Sequence, residues 1–327
     1  MNVPSTAELT PEPHEPHWVS RSAFQIIVFA LTFTNVAMIA ALYHNNYWLA
    51  VPLALIASHF MHGLLIGFHE ASHGMLRQNR TFNNFDGVLI GILSFMSFTL
   101  YRASHQTHHM HLATEKDEEL WPFTDTKSPR WVRVFAAFLE LNAGLFFTPY
   151  LFMRSFFRKD SPIRAKKVRR RIWNELLLMV LFWTTVVSVV AWFGLWKYLI
   201  WMHFIPGFIA GNLQSWRKYI EHVGMEGHTA TSATRSIVTD TWGGRLLAFT
   251  LLHEPFHGLH HRHMGLPHAE LPPLAPTLVP KEQGETPPFR SYRHALKDLL
   301  VKLRDPRVGA HWQTQSSNGR PPFEHSS

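Results

Sequence analysis

The sequence contains no cysteine among its 327 residues. This absence excludes disulfide bonds, and it excludes iron–sulfur clusters, haem or zinc held by thiolates of this chain. A cleavable signal peptide is also not expected, because the first apolar segment is too long and no small-residue cleavage site follows it. Any metal ion that the chain binds must therefore be held by nitrogen and oxygen atoms.

The composition is instead rich in histidine and in basic residues. The chain has 23 histidines and a formal net charge of +8, and its pI is about 9.8. A basic protein can bind nucleic acid, but the long apolar segments of this chain favour anionic membrane lipid as the partner and argue against nucleic acid.

Four apolar segments predict an all-α, multi-pass integral membrane fold. The first, residues 23–43, would extend about 31 Å as a helix, which is the thickness of a hydrocarbon core. The other three predicted spans are residues 47–68, 173–193 and 198–214. Since very short turns join the first span to the second and the third to the fourth, we predict two helical hairpins.

Two further apolar segments are predicted not to cross the membrane. Residues 86–101 are too few for a span and predict an interfacial or re-entrant helix. Residues 132–153 are interrupted by Glu140 and Asn142, and we predict that they lie in the membrane interface.

A basic segment predicts which side of the membrane is cytoplasmic. Nine lysines and arginines lie between residues 154 and 171, and dense positive charge beside membrane spans marks the cytoplasmic side. Because two hairpins return the chain to one side, all the histidine motifs are predicted to lie on the cytoplasmic face.

The histidine motifs have the spacing of ligands on helices. Residues 69–73 read HxxxH, and residues 105–109 and 257–261 both read HxxHH. Side chains at i, i+3 and i+4 share one helical face, so a triplet can present two nitrogens to one metal and one to a second. A lone buried histidine is usually a core residue, but that interpretation does not explain three such motifs. With the isolated His222, the candidate ligands number nine: His69, His73, His105, His108, His109, His222, His257, His260 and His261.

Nine imidazoles exceed what one metal ion can use, so two ions are predicted. Imidazole suits iron, copper, zinc and nickel. Two adjacent irons held by histidine would imply oxygen chemistry, at a membrane surface and within reach of a lipid-soluble substrate.

Several neighbouring residues are assigned supporting roles or none. Glu70 gives the first motif the HExxH pattern of zinc proteases, but that class leaves both triplets unexplained, so Glu70 is predicted to orient an imidazole. Asp117 either belongs to a solvated acidic run with Glu118 and Glu119 or holds a ligand N–H group, and Glu221 is either a tenth ligand or an orienting partner. His253 is left out of the ligand set, because Pro255 favours a helix that begins after it.

The order HxxxH, HxxHH, single histidine, HxxHH around four spans resembles the membrane fatty acid desaturase–hydroxylase superfamily, over about residues 20–270. The resemblance implies four membrane helices under a cytosolic helical cap that holds two irons, with the nine histidines as ligands and a lipid or fatty acyl chain as substrate. Residues 219–224 also look like the Glu-His segment of the alkane hydroxylase branch, and the third motif departs from that of common desaturases. No HPGG haem segment is present, so electrons are expected from a separate donor, such as a ferredoxin or a cytochrome b5 type protein.

The chain is predicted to have three parts. Residues 1–20 form a mobile N-terminal tail, residues 21–270 a membrane desaturase-like domain, and residues 271–327 a proline-rich, mostly irregular C-terminal tail with one amphipathic helix at about residues 292–303.

The favoured function is O2-dependent oxidation of an unactivated C–H bond in a lipid chain, with fatty acid desaturation as the reaction. Alkane or fatty-acid hydroxylation, carotenoid oxygenation and oxidative decarboxylation of a fatty acid remain open within the superfamily. Outside it, a histidine-rich metal transporter would place its ligands near the membrane midplane. An intramembrane zinc protease would need one zinc, and a di-haem cytochrome would use paired histidines facing across helices.

Overall fold

The computed structural model describes residues 18–282 and 284–312, and within them the chain is helical, with one isolated β-bridge between Ile237 and Phe289. Most of the predicted N-terminal tail and the last fifteen residues lie outside this range. The helices are α1 (Trp18–Arg21), α2 (Ala23–Tyr43), α3 (Tyr47–His73), α4 (Arg80–Leu93), α5 (Phe98–Met110), α6 (Arg130–Phe157), α7 (Lys166–Phe193), α8 (Trp196–Leu199), α9 (Ile205–His222), α10 (Trp242–Thr250), α11 (His257–Arg262) and α12 (Tyr292–Lys302).

Four of the described helices are long and apolar enough to cross a membrane, namely α2, α3, α6 and α7. Three of them contain the predicted spans at residues 23–43, 47–68 and 173–193. A bend of 104° separates α4 from α5, and this pair contains the segment predicted as interfacial or re-entrant at residues 86–101. The observed fold is thus all-α, with membrane-type helices, as predicted.

The fourth candidate span differs from the predicted one. The segment predicted at residues 198–214 is divided among α8, a π-helical turn at Ile200–Phe204 and α9. The last two turns of α9 carry Arg217, Lys218 and Glu221, so α9 is not apolar enough by itself. By length and composition its place is taken by α6, which was predicted to lie in the interface.

Helix α3 carries the first histidine motif at its C-terminal end. The Asn46 side chain caps its N-terminus by accepting the Leu49 N–H at 3.2 Å, and Gly74 ends it in the left-handed conformation, with φ of 81°. Glycine is favoured there because it has no Cβ. Helix α3 packs along α2 on one side and α9 on the other, and the motif occupies its last turn.

A crossing of α6 and α9 fixes the direction of α9, which carries His222. Helix α6 bends at Ala143, and Asn212 of α9 binds the two backbone groups beside the bend: its Oδ1 accepts the Gly144 N–H at 2.8 Å, and its Nδ2 donates to the Asn142 carbonyl at 3.1 Å. A Cβ at Gly144 would lie 2.8 Å from the Gly211 carbonyl oxygen. The two backbones therefore approach as closely as they do because both positions are glycine.

The region after residue 270 packs against the rest of the protein. Helix α12 lies where the amphipathic helix was predicted, and it buries Ala295 and Leu299 against the end of α9. Val308 and Trp312 are also buried. Within residues 271–282 and 284–312, this part of the chain combines a short 3-10 segment at Pro272–Thr277 with the docked helix α12.

Candidate metal centre

All nine histidines predicted as ligands come together in one buried site. The ends of α3, α5 and α9 converge there, and the short helix α11 closes the site from the opposite side. Each HxxHH motif lies on a helix, as its spacing predicted. Seven of the nine side chains are buried outright, and His73 and His109 are nearly so.

The histidines form two adjacent groups. His69, His73, His105, His109 and His260 offer nitrogens that all lie within 4.8 Å of one another. The second group is His108, His222, His257 and His261. Each triplet is split, because its i and i+4 members enter one group and its i+3 member enters the other. The two groups touch where the rings of His109 and His261 stack with centroids 4.2 Å apart.

The distances between facing nitrogens test whether a metal ion fits. In the first group, Nε2 of His105 lies 3.0 Å from Nε2 of His73 and 3.1 Å from Nε2 of His109. In the second, Nε2 of His257 lies 2.8 Å from that of His222 and 3.1 Å from that of His261. With metal–nitrogen bonds of about 2.1 Å, cis ligands at right angles lie about 3.0 Å apart and tetrahedral ligands about 3.4 Å apart. Most of these distances are close to the right-angle value, whereas Nε2 of His260 lies 3.3 Å from that of His109, close to the tetrahedral value. The spacing therefore fits a metal ion in each group.

Carboxylates determine the tautomers of four of these imidazoles. Nδ1 of His105 lies 2.8 Å from Glu119, and Nδ1 of His108 lies 2.8 Å from Asp117, which matches the second interpretation of Asp117. A carboxylate accepts a hydrogen bond, so it holds the proton on Nδ1 and leaves Nε2 with a free lone pair. Lone pairs that face each other at about 3 Å repel unless a cation lies between them.

Glu254 is the central acidic residue of the site, and the sequence prediction missed it. Its two oxygens lie 3.1 Å from Nδ1 of His69 and 3.0 Å from Nδ1 of His257, so one carboxylate joins both groups. Arg217 donates to Glu254 at 2.6 Å and also pairs with Glu221. The available signal was its position three residues before His257, which puts the two side chains on one helical face.

The charges around Glu254 keep it ionised. Burial alone would raise the pKa of its carboxyl, but His69 and Arg217 lower the pKa well below the usual range. Burial in turn lowers the pKa of His257 to about 4, so that imidazole is neutral at physiological pH. Its unprotonated nitrogen is therefore available to a metal ion.

Three other predicted roles can be placed. Glu70 lies 3.9 Å from Nδ1 of His69, beyond hydrogen-bonding distance, so Glu254 makes the contact predicted for Glu70. Glu221 approaches Nδ1 of His257 at 3.6 Å with one oxygen, and its other oxygen has no partner within the described residues. His253 precedes the helix, as predicted, and faces His268 instead of either histidine group.

A mostly apolar cavity lies against the site between α3, α5, α6 and α9. Tyr101, Glu119 and Arg217 line its end nearest the histidines. A second cavity continues among α2, α3, α4 and the π-helical turn. Leu65, Ser94 and Leu145 line both cavities, so the two are neighbours.

Fold and site together define a class: helical membrane-type proteins with two adjacent histidine-lined sites and an apolar cavity beside them. The family model described as fatty acid desaturase matches residues 46–293. The chain belongs to this family.

Two curated fatty acid desaturases are similar in sequence to part of this chain. An omega-3 fatty acid desaturase, chloroplastic, from Glycine max is 32% identical over 120 residues, which cover 36% of this chain and 26% of that protein. The sn-2 acyl-lipid omega-3 desaturase (ferredoxin), chloroplastic, from Helianthus annuus is 28% identical over 166 residues, 48% of this chain and 36% of that protein. The similarity thus spans about a quarter to a third of these relatives.

Proposed function

We propose that the protein is a membrane di-iron oxidoreductase that removes hydrogen from a fatty acyl chain. The observation that carries this proposal is the convergence of nine imidazoles whose unprotonated nitrogens face one another at about 3 Å. One iron would be held by His69, His73, His105, His109 and His260, and the other by His108, His222, His257 and His261. The first group offers five imidazole nitrogens, one more than a tetrahedral zinc site uses, and this number supports iron over zinc.

The two irons would supply the redox chemistry that activates dioxygen with external electrons. The protein's own residues orient the ligand histidines and pair the buried charges around them. Glu119, Asp117 and Glu254 fix the imidazoles through their Nδ1 atoms, and such outer contacts tune ligand orientation and basicity. Arg217 neutralises Glu254 and Glu221 in a buried place where unpaired charge would be costly.

The apolar cavity beside the site supports a lipid chain as substrate. Its aliphatic and aromatic lining would hold a stretch of methylenes next to the histidines and exclude water. Loss of hydrogen from two adjacent carbons gives an alkene, whereas return of oxygen to one carbon gives an alcohol. Small shifts of the chain decide between such outcomes, because catalytic rates fall steeply with misplacement. The names of the two relatives favour desaturation.

We further propose that electrons come from a separate carrier, either a ferredoxin, as the printed name of the sunflower protein includes, or a cytochrome b5 type protein. Membrane lipids would surround the spans. The cytoplasmic face would carry the site, since the basic segment at residues 154–171 adjoins it through Arg154, whose guanidinium lies 3.2 Å from Glu118.

We also propose two hairpins, α2–α3 and α7 with the α8–α9 stretch, and α6 lying along the interface under a cytosolic cap. Near the start of α6, Arg133 donates to the Ser128 carbonyl. Near its end, Arg154 lies over Trp121, 3.5 Å from the ring centroid. Both ends of a helix of 28 residues therefore contact one short segment, 118–128. A helix that crossed the bilayer would separate its ends by the membrane's thickness.

Metal analysis followed by product analysis tests the proposal. Purified protein should contain about two irons per chain, and His108→Ala should lose iron and activity, whereas His111→Ala, a nearby histidine outside both groups, should keep both. Reduced enzyme incubated with a panel of lipids should yield products two hydrogens lighter by mass spectrometry. Full activity of His108→Ala with normal iron content would refute the assignment.

The same measurements distinguish the alternatives. An added oxygen atom would indicate a hydroxylase or a carotenoid oxygenase, and a terminal alkene shortened by one carbon would indicate oxidative decarboxylation. One tightly bound zinc would indicate a protease. Loosely bound metal that crosses proteoliposomes, with no lipid product, would indicate a transporter.

A further inference from the structure

The bend between α4 and α5 lies at the junction of the two cavities. Its tip, residues 94–96, contributes Ser94 to both cavities, Met96 to the one beside the histidines and Phe95 to the deeper one. Phe95 adopts a positive φ of 59°, a conformation that non-glycine residues adopt only at a cost. The tip therefore has a specific backbone conformation that its surroundings must stabilise.

Side chains from outside the α4–α5 pair hold this tip on three sides. The Trp183 indole N–H of α7 donates to the Ile92 carbonyl at 2.8 Å, and its ring stacks on Phe95 with centroids 4.8 Å apart. His203 of the π-helical turn packs against the Trp183 ring, with centroids 4.8 Å apart, and lies edge-on to Phe95 at 6.3 Å. The Trp183 hydrogen bond satisfies a carbonyl at the C-terminus of α4, which has no partner within the helix.

The other side of the tip is fixed by a carboxylate. Glu175 of α7 accepts hydrogen bonds from the Ser97 hydroxyl at 2.7 Å and from the Thr99 N–H at 2.8 Å. A carboxylate at a helix N-terminus is stabilised by the unsatisfied N–H groups and the helix dipole. Helix α7 thus contacts the end of α4 through Trp183 and the start of α5 through Glu175.

The two cavities differ in charge. The cavity beside the histidines is lined by Glu119, Glu140, Arg217 and Lys218 as well as by apolar groups, whereas none of the described residues that line the deeper one is a carboxylate, lysine or arginine. Burying a charged or polar end in the deeper cavity would be unfavourable. The methyl end of an acyl chain is the part that fits there.

We propose that the tip at residues 94–96 is an elbow between the two halves of one acyl tunnel, and that Trp183 and His203 position it. The reacting carbons lie in the first cavity, the methyl end lies in the second, and the elbow sets the chain lengths that fit. This inference rests on the proposed function. It adds specificity-determining residues that lie far from the histidines along the chain and make no contact with them.

A labelling experiment tests the tunnel without requiring activity. Because the chain has no native cysteine, a single cysteine reports on one place only. Met61→Cys reports on the deep cavity, Thr148→Cys on the first cavity, and Trp48→Cys, whose side chain is 93% exposed, is the unprotected control. Saturated fatty acids of stepwise increasing length are added before a small thiol reagent.

All chains that bind should slow labelling at residue 148, and only chains above a threshold length should slow it at residue 61. Protection at residue 148 with none at residue 61 for any length would overturn the elbow and leave the proposed function intact. Protection at neither position would count against a lipid chain in either cavity, and so against the proposed function itself.

Substitution of the positioning residue gives a second test. Trp183→Phe keeps a ring against Phe95 but removes the donor to Ile92, so the elbow should loosen. The ratio of longer to shorter products should change by about tenfold, because one methylene in an apolar pocket changes discrimination by roughly that factor. Trp192→Phe on the same helix, exposed at 84%, should leave the ratio unchanged. An identical profile in Trp183→Phe would contradict the role of the elbow.

Discussion

At the scale of single residues, the two histidine groups depend on the carboxylates behind them. The motifs could be read from the sequence because i, i+3 and i+4 spacing is a local property. The bridging of both groups by Glu254 and its pairing with Arg217 could not be read, because they follow from contacts between segments that are distant in the chain, 37 residues apart for Arg217 and Glu254. The same limit explains why the contact predicted for Glu70 is made by Glu254.

Glu254→Gln should disturb both metal sites at once. The amide can accept a hydrogen bond from only one oxygen and leaves Arg217 less well neutralised, so His69 and His257 both lose an orienting partner. We expect metal affinity to fall by about 10- to 100-fold, as is typical when an orienting partner is lost. Titration of apoprotein with ferrous iron measures this.

Two further variants serve as comparisons in the same iron titration. Among the nine histidines, the structure pairs Asp117 with His108, so Asp117→Asn should weaken mainly one of the two sites. The exposed Glu282→Gln should have no effect. Equal affinity of Glu254→Gln and the unaltered protein for both ions would show that the bridging carboxylate plays no part.

A buried histidine pair outside both groups predicts that the folded protein loses stability at acidic pH. His253 and His268 face each other with Nδ1 atoms 3.2 Å apart, and burial lowers the pKa of His253 to about 4 and that of His268 to about 3. In the unfolded chain both would titrate near 6.5. Since the unfolded state then binds protons that the folded state does not, stability is unaffected above pH 6.5 and falls as the pH drops towards 4.

Each histidine of this pair should cost on the order of 2 kcal/mol of stability between pH 7 and pH 5. Unfolding of the apoprotein in detergent, compared with that of a His253→Gln, His268→Gln double variant at both pH values, measures the difference. The variant should lose less stability on acidification. Parallel losses in the two proteins would show that the pair does not titrate in this way.

At the scale of elements, close helix crossings position the ligand-bearing helices. The turn at residues 44–46 could be read from the sequence, since it is a local feature. Which of α6 and α9 crosses the membrane could not be read, because α9 carries charged residues at its end, whereas α6 is long and apolar enough to be a span. Composition alone cannot separate a helix that crosses a membrane from one that lies along its surface.

Gly211→Ala should weaken the α6–α9 crossing. A Cβ there would lie 2.9 Å from the Leu145 Cβ and 3.0 Å from the Leu145 backbone, so the helices must move apart. We expect a loss of about 1–3 kcal/mol, the usual cost of overpacking, and weaker iron retention because α9 carries His222. Thermal unfolding in detergent measures the loss, and Gly243→Ala, which meets no atom within 4 Å, is the control. Equal stability of the two variants would count against a tight crossing.

At the scale of the whole molecule, the arrangement joins a membrane bundle to a polar region that closes over the site. The ligands come from the ends of α3, α5 and α9, and residues 254–261 and α12 cover them from the other side. The proposed function would have an apolar chain reach the histidines from the bilayer while an electron carrier approaches from water. It requires that every ligand-bearing helix end on the same side, which is a statement about topology that labelling can decide.

The placement of α6 is the sharpest test of that topology. Single cysteines at Trp131 and Phe157, both exposed and at opposite ends of α6, can be labelled with an impermeant reagent from either side of sealed vesicles. If α6 lies along the interface, both cysteines should react only from the cytoplasmic side, together with a cysteine at Lys159 of the basic segment. A cysteine at Asn45, in the turn between α2 and α3, should react only from the opposite side. Should residues 131 and 157 react from opposite sides, α6 is itself a span, and the two-hairpin arrangement must be replaced by one in which α9 ends within the membrane.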